Sequence, residues 1–152
     1  MADNAARNKA IARRFFDDVF NKGQLHVVDE IFAKNYVGYS SASFKGPIKG
    51  PAGIKEFVTA YRTAFPDINF AFDDVLSDGD KISVRWTTTG THKGSLAGVA
   101  ATGKKIKVTG IGVAEIANAQ IIRSFSQVNT ASMLQQLGVK LPVFDAAGDV
   151  EP

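Results

Sequence analysis

Apolar residues recur at steps of three and four in the opening stretch, at Ile11, Ala12, Phe15, Phe16, Val19 and Phe20, which predicts an amphipathic helix. Asp3 and Asn4 can cap its start, and Asn21 with Gly23 ends it. A shorter helix follows, with Leu25, Val28 and Phe32 on one side. Tyr36-Val37-Gly38-Tyr39 reads as a brief strand and Ser40 to Gly50 as a loop. Pro51 suits the first turn of a third helix carrying Ile54, Phe57, Val58, Tyr61 and Phe65, and Pro66 stops it. From there the period changes to two. Strands are expected over Asn69 to Leu76, Lys81 to His92, Lys105 to Ala117 and Gln120 to Asn129. Asp78-Gly79-Asp80 and Asn118-Ala119 are the hairpin turns, and Thr130 to Leu137 closes the pattern as a short helix.

Helices first and four antiparallel strands after them describe an α+β domain, with helices on one face of a curved sheet. A two-residue turn at Asn118-Ala119 would pair Ala117 with Gln120, Ala114 with Arg123, Gly112 with Phe125 and Gly110 with Gln127. Paired residues share a face. The face with Phe125, Gln127 and Asn129 is therefore expected to be hollowed by Gly110, Gly112 and Ala114, and Glu115 to lie on the other side. The small residues are either good packing or room for a ligand. Gln127 and Asn129 would then be amides in apolar surroundings, where an unpartnered polar group costs about 1–3 kcal/mol.

The 152 residues suit a single domain, with a core over about 8 to 138 and a loosely held tail from 139 to 152. Eleven Phe supply bulk for one core or an aromatic-lined cavity. The net charge of +3 is mild, and its basic residues are scattered apart from Lys104, Lys105 and Lys107, so no nucleic-acid partner is expected. The chain has no cysteine, which removes thiol chemistry and disulfides. Nor does it show a secretory leader or an apolar run long enough for a bilayer, so the expected location is the cytoplasm, with no membrane partner.

Gly98 to Lys105 nearly matches a phosphate-binding loop, but Lys105 stands where Ser or Thr would hold magnesium, and a strand follows where a helix should open. The two His, His26 and His92, lack metal-ligand spacing, so no metal is expected. His92 shares parity with Trp86, which puts it at the rim of a cavity, as a structural or a proton-moving group. No Ser sits in a nucleophile elbow.

Several stretches taken together are specific. FPDINFAFDDVLSDGDKISVRWTTTGTHKG, the ATGK segment, VTGIGVAEIANAQIIRSF and SMLQQLG resemble the SnoaL-like polyketide cyclase (ester cyclase) family over roughly residues 8 to 138. The resemblance implies an NTF2-like cone, a curved sheet wrapped by helices around a hydrophobic pocket, paired as a homodimer through the sheet. It also implies intramolecular aldol closure of a polyketide ester without cofactor or metal, by an Asp at the end of the last strand acting as acid and base. Aligned on QQLG, Asn129 stands at that position, and an amide cannot take up the proton. Trp of the family pattern becomes Phe125, Pro becomes Ala101 and the turn Gly becomes Ala119.

Three functions are consistent with these residues. The first is a cofactor-free cyclase or isomerase acting on a hydrophobic carbonyl compound held by Phe15, Phe16, Tyr39, Trp86, Gly110, Gly112 and Phe125. Asn129 and Gln127 would polarise its carbonyl, and His92 would move a proton. The second is a binding protein with the same pocket and no turnover. The third is an interaction module whose pocket is filled by its own Phe side chains.

Overall fold

The structure is a computed structural model that describes residues 4–144 and 150–151. Its α1 helix spans Asn4–Arg14, with Ile11 and Ala12 buried. Asn4 lies within it, and Asp3 falls outside the described residues. The chain then widens into a π-helical segment, Phe15–Asn21, where the sequence predicts a regular helix. Lys22 N–H reaches back five residues to the Asp17 carbonyl. This wider turn brings Phe15, Phe16 and Phe20 together, with neighbouring ring centroids 5.2 to 6.5 Å apart. Asn21 fixes the end of the segment to a strand edge: its side chain donates to the Phe70 carbonyl at 3.1 Å and accepts from Phe70 N–H at 2.8 Å. Gly23 follows at φ 72°, a left-handed conformation that stops the helix.

Short α2 (His26–Ile31) leads directly into β1 (Phe32–Ser40), so Phe32 opens a strand rather than closing a helix. A two-residue β2 (Ile48–Lys49) interrupts the expected loop and pairs with β1. Helix α3 (Gly50–Ala64) starts with Pro51 in its first turn and buries Ile54, Val58 and Tyr61. Then come β3 (Asn69–Asp78), β4 (Lys81–Thr91), β5 (Lys105–Ala117), β6 (Gln120–Val128) and α4 (Thr130–Gln136). In the expected tail, β7 (Val143–Phe144) pairs with β8 (Val150–Glu151).

The main sheet has six strands in the order β2-β1-β6-β5-β4-β3. It is mixed rather than purely antiparallel, because β1 runs parallel to β6. Parallel neighbours need a long crossover, which here is everything from β2 to β5. The helices cover one face. That inner face carries the buried Ile82, Val84 and Trp86 of β4, Ile106 and Val108 of β5, and Ile121 of β6.

The β5–β6 hairpin departs from the expected register. Ala117 does pair with Gln120 and Ile116 with Ile121, across a turn in which Asn118 and Ala119 both take positive φ. Glu115, however, faces Arg123, so Ile122 is an extra residue and a β-bulge. One inserted residue reverses the parity of everything beyond it. The pairs become Val113 with Phe125, Gly112 with Ser126, Ile111 with Gln127 and Gly110 with Val128. The inner face of β6 is therefore Ser124, Ser126 and Val128, while Phe125 and Gln127 turn outward. Glu115 keeps its expected side.

Candidate functional site

Between the helices and the inner face lies a cavity of about 140 Å³. Phe15, Phe16 and Phe20 of the π-helical segment form one wall, and Trp86 of β4 the floor. Phe16 is central, with ring centroids 5.2 Å from Trp86, 5.2 Å from Phe72 and 5.3 Å from Phe70. The wall made by β1 and β6 differs. Tyr36 and Ser40 of β1 face Ser124 and Ser126 of β6 there, so one side of an otherwise largely apolar space carries a cluster of hydroxyls. Thr88 of β4 also lines the space, its hydroxyl covered and without a partner among the described residues.

Tyr36 and Ser124 share a hydrogen bond of 2.7 Å in which either oxygen can donate. Two hydroxyls carry two protons and their mutual bond uses one. Among the described residues neither makes a further bond, so one O–H of this cavity-lining pair is left without an acceptor. Burial pushes the Tyr36 hydroxyl above its usual pKa, with the Ser124 bond opposing it. Tyr61 also lines the space; burial drives its pKa far up, and its hydroxyl donates to the Ala42 carbonyl at 2.7 Å. Both phenols are therefore neutral donors at physiological pH. No Asp, Glu, His, Lys or Arg is among the described residues that line the cavity. Nor do three His, Cys, Asp or Glu side chains come together among the described residues as a metal site would need.

The candidate residues from the sequence divide into three groups. Phe15, Phe16, Trp86 and Gly112 meet at the cavity. Gly110 does not open space for a ligand: a Cβ there would stand 2.5 Å from Cζ2 of Trp86, so the indole already occupies the recess. Phe125, Gln127 and Asn129 are corrected by the bulge, and Tyr39 of β1 lies outside beside Phe125. Phe125 touches the cavity wall, but it is 49% exposed and its ring stacks on Tyr39 outside, 5.4 Å away at 9°. Gln127 is exposed on the same outer face, beside Ile111. Asn129 is exposed too, and its carbonyl oxygen accepts from Ser132 N–H at 3.2 Å, capping α4. That short polar cap is what starts the final helix.

His92 also lies away from the cavity lining. It has no exposed surface and packs on Phe65, 5.3 Å between ring centroids. Its Nδ1 accepts from Thr102 N–H at 3.2 Å and lies 3.0 Å from the Thr102 hydroxyl. A backbone N–H can only donate, so the neutral ring carries its proton on Nε2, which has no partner among the described residues. The imidazole thus ties the 93–104 connection to β4. Sequence reasoning missed Tyr36, Ser124 and Ser126. The Ser-x-Ser alternation in β6 was the available signal, and only the bulge shows which way it faces.

A polyketide-cyclase family model matches residues 10–137, and the chain belongs to this family, the SnoaL-like polyketide cyclases. A crystal structure from Jannaschia sp. CCS1, provisionally described as a SnoaL-like polyketide cyclase, aligns with a TM-score of 0.82 at 17% identity, covering 93% of this chain and 98% of that one. One from Acidithiobacillus ferrooxidans, provisionally a polyketide cyclase, aligns at 0.78 and 28% identity, covering 90% and 97%. AclR from Streptomyces galilaeus, provisionally a hydroxylase, aligns at 0.77 and 22% identity, covering 91% and 99%. The first and third share the fold at identities too low to carry a reaction, and their descriptions differ. A comparison of the sequence with curated proteins gives no match. No helix among the described residues is long and apolar enough to cross a membrane.

Proposed function

We propose that this chain is a cytoplasmic, single-domain cyclase or isomerase that works without a cofactor on a hydrophobic, polyketide-like carbonyl compound in the inner cavity. The observation that carries this reading is the unused hydroxyl proton of the Tyr36–Ser124 pair inside an aromatic space. A carbonyl oxygen is the acceptor that such a donor lacks, and the rings around it take the apolar body.

A donor held in place there stabilises the negative charge that gathers on a carbonyl oxygen as a carbon nucleophile attacks it or as it enolises. The Phe walls fold a flexible chain so that its reacting carbons meet, replacing a bimolecular encounter by proximity. A proton leaves the carbon between two carbonyls, a carbon–carbon bond forms, and a proton returns to the new alkoxide. Among the described residues the cavity wall offers no carboxylate, imidazole or amine, so solvent carries these protons. The same absence favours the second reading, a binding protein that holds such a compound unchanged.

A second copy of the chain is the proposed partner on the outer face. Register places Tyr39, Phe125, Val113, Ser83 and Leu76 in one row across five strands. The apolar members of this row are 40 to 68% exposed. The adjacent rows carry Arg123, Glu115 and Lys81 on one side and Arg85 and Asp74 on the other. Flanks with both signs allow the same surface to meet itself across a two-fold axis.

Proton exchange in deuterated buffer, followed by NMR on a panel of aromatic β-keto esters, tests the catalytic reading. Exchange above the buffer rate, reduced about tenfold in a Tyr36→Phe/Ser124→Ala double variant, is the expected result. Saturable binding with exchange at the buffer rate gives the binding reading instead. Absence of binding throughout the panel overturns both.

A further inference from the structure

Ser126 stands one pleat along β6 from Ser124, on the same inner face. Its hydroxyl makes no hydrogen bond among the described residues, while its backbone belongs to the ladders with β5 and β1 and its carbonyl accepts from Ser41 N–H. The neighbouring position on β5 is Gly112, which has no side chain to cover it. A Cβ at Gly112 would come within 3.2 Å of the Ser126 Cβ and 3.4 Å of Trp86 Cζ3, so a larger residue would close this corner. Ser40 is the β1 partner of Ser126, and its hydroxyl is already oriented by accepting from Ala42 N–H at 3.2 Å. The unused proton of the Tyr36–Ser124 pair and the free hydroxyl of Ser126 therefore sit on one wall. Two residues along a strand separate them by about 7 Å.

We infer that Ser126 is a specificity-determining residue of this cavity, and that with the Tyr36–Ser124 pair it selects ligands carrying two oxygens along one edge of an apolar body. The inference rests on the ligand-binding reading above. Phe16 and Trp86 take the opposite, unsubstituted edge. An oxygen placed on that edge would lie mainly against rings; the polar groups on that side are the indole N–H of Trp86, beside Gly110, and the Thr88 hydroxyl, which has no partner among the described residues but is itself covered. Ser126 does not touch the reacting carbons; it fixes which way round the ligand lies, and so which carbonyl meets the Tyr36–Ser124 donor.

Three probes of similar size test this: 2-naphthol, 2,7-dihydroxynaphthalene with both oxygens on one long edge, and 2,6-dihydroxynaphthalene with them on opposite edges. Affinities are measured by calorimetry. The emission of Trp86, the only tryptophan in the chain, reports whether binding is in the cavity. The wild type should bind the 2,7 isomer about three- to tenfold more tightly than the 2,6 isomer, the worth of one hydrogen bond. Ser126→Ala should bring the two isomers to parity and leave 2-naphthol unchanged. Equal affinities in the wild type, or a preference that survives Ser126→Ala, overturns the inference while the ligand-binding reading stands. If no probe, 2-naphthol included, changes the Trp86 emission, both fall.

Discussion

At the scale of single residues, two of the three side chains singled out by their chemistry, Asn129 and His92, have structural partners away from the cavity lining. Asn129 is an N-cap, and Asp caps as well as Asn does. Asn129→Asp should therefore leave the urea midpoint in place and should not raise the rate of proton exchange, because the new carboxylate points away from the cavity. Asn129→Ala should cost about 1 kcal/mol in the same denaturation experiment. His92 is buried, holds Thr102 and packs on Phe65. Its truncation leaves a void and an unpartnered backbone N–H. His92→Ala should destabilise by about 2–4 kcal/mol in urea unfolding, with 2-naphthol affinity retained. An enzyme using this imidazole would show the reverse: intact stability and lost turnover. The aromatic residues Phe15, Phe16 and Trp86 were legible as a group, because a large side chain on the apolar stripe of a helix or the inner parity of a strand has few other places to go. Tyr36 was read only as strand, since nothing in the sequence says which Ser its hydroxyl will meet.

At the scale of elements, the decisive feature is one extra residue. The sequence places the β5–β6 turn and both strands correctly, and counting from the turn then assigns every face beyond Ile122 to the wrong side. A bulge has no sequence signature as strong as a hairpin turn, because it answers to packing on both sheet faces rather than to local propensity. It holds here because Ile121 reaches the core, at 4% exposure, and Ser124 still meets Tyr36. The π-helical segment is a similar case: the apolar stripe predicts helix, and only the need to seat Phe15, Phe16 and Phe20 together widens the turn. Gly110 illustrates the packing side of the same hairpin. Gly110→Ala places a methyl against the Trp86 ring and should cost about 1–3 kcal/mol, read by denaturation with Trp86 emission as the probe.

At the scale of the whole molecule, the sheet has two working faces. The inner face closes a cavity against the helices, and the outer face presents the apolar row of Tyr39, Phe125, Val113 and Leu76. If a second copy covers that row, Phe125→Glu should make the protein a monomer in sedimentation velocity. An unaltered sedimentation coefficient in that variant would remove the outer row from the assembly.

The amino-acid sequence by itself determined most of the helices, the four long strands, the turns between those strands and the family, because each rests on local periodicity, on Gly and Pro punctuation, or on motifs a few residues long. It also determined that a large aromatic content must gather somewhere. The tertiary structure alone decided which face of β6 looks inward, that β1 joins β6 in parallel, and that a Tyr–Ser pair rather than an amide pair meets the cavity. Each of these depends on contacts between residues far apart in the chain, such as Tyr36 with Ser124 and His92 with Phe65. Side-chain period carries no information about a one-residue insertion in pairing until the opposite strand and the core behind it are in place.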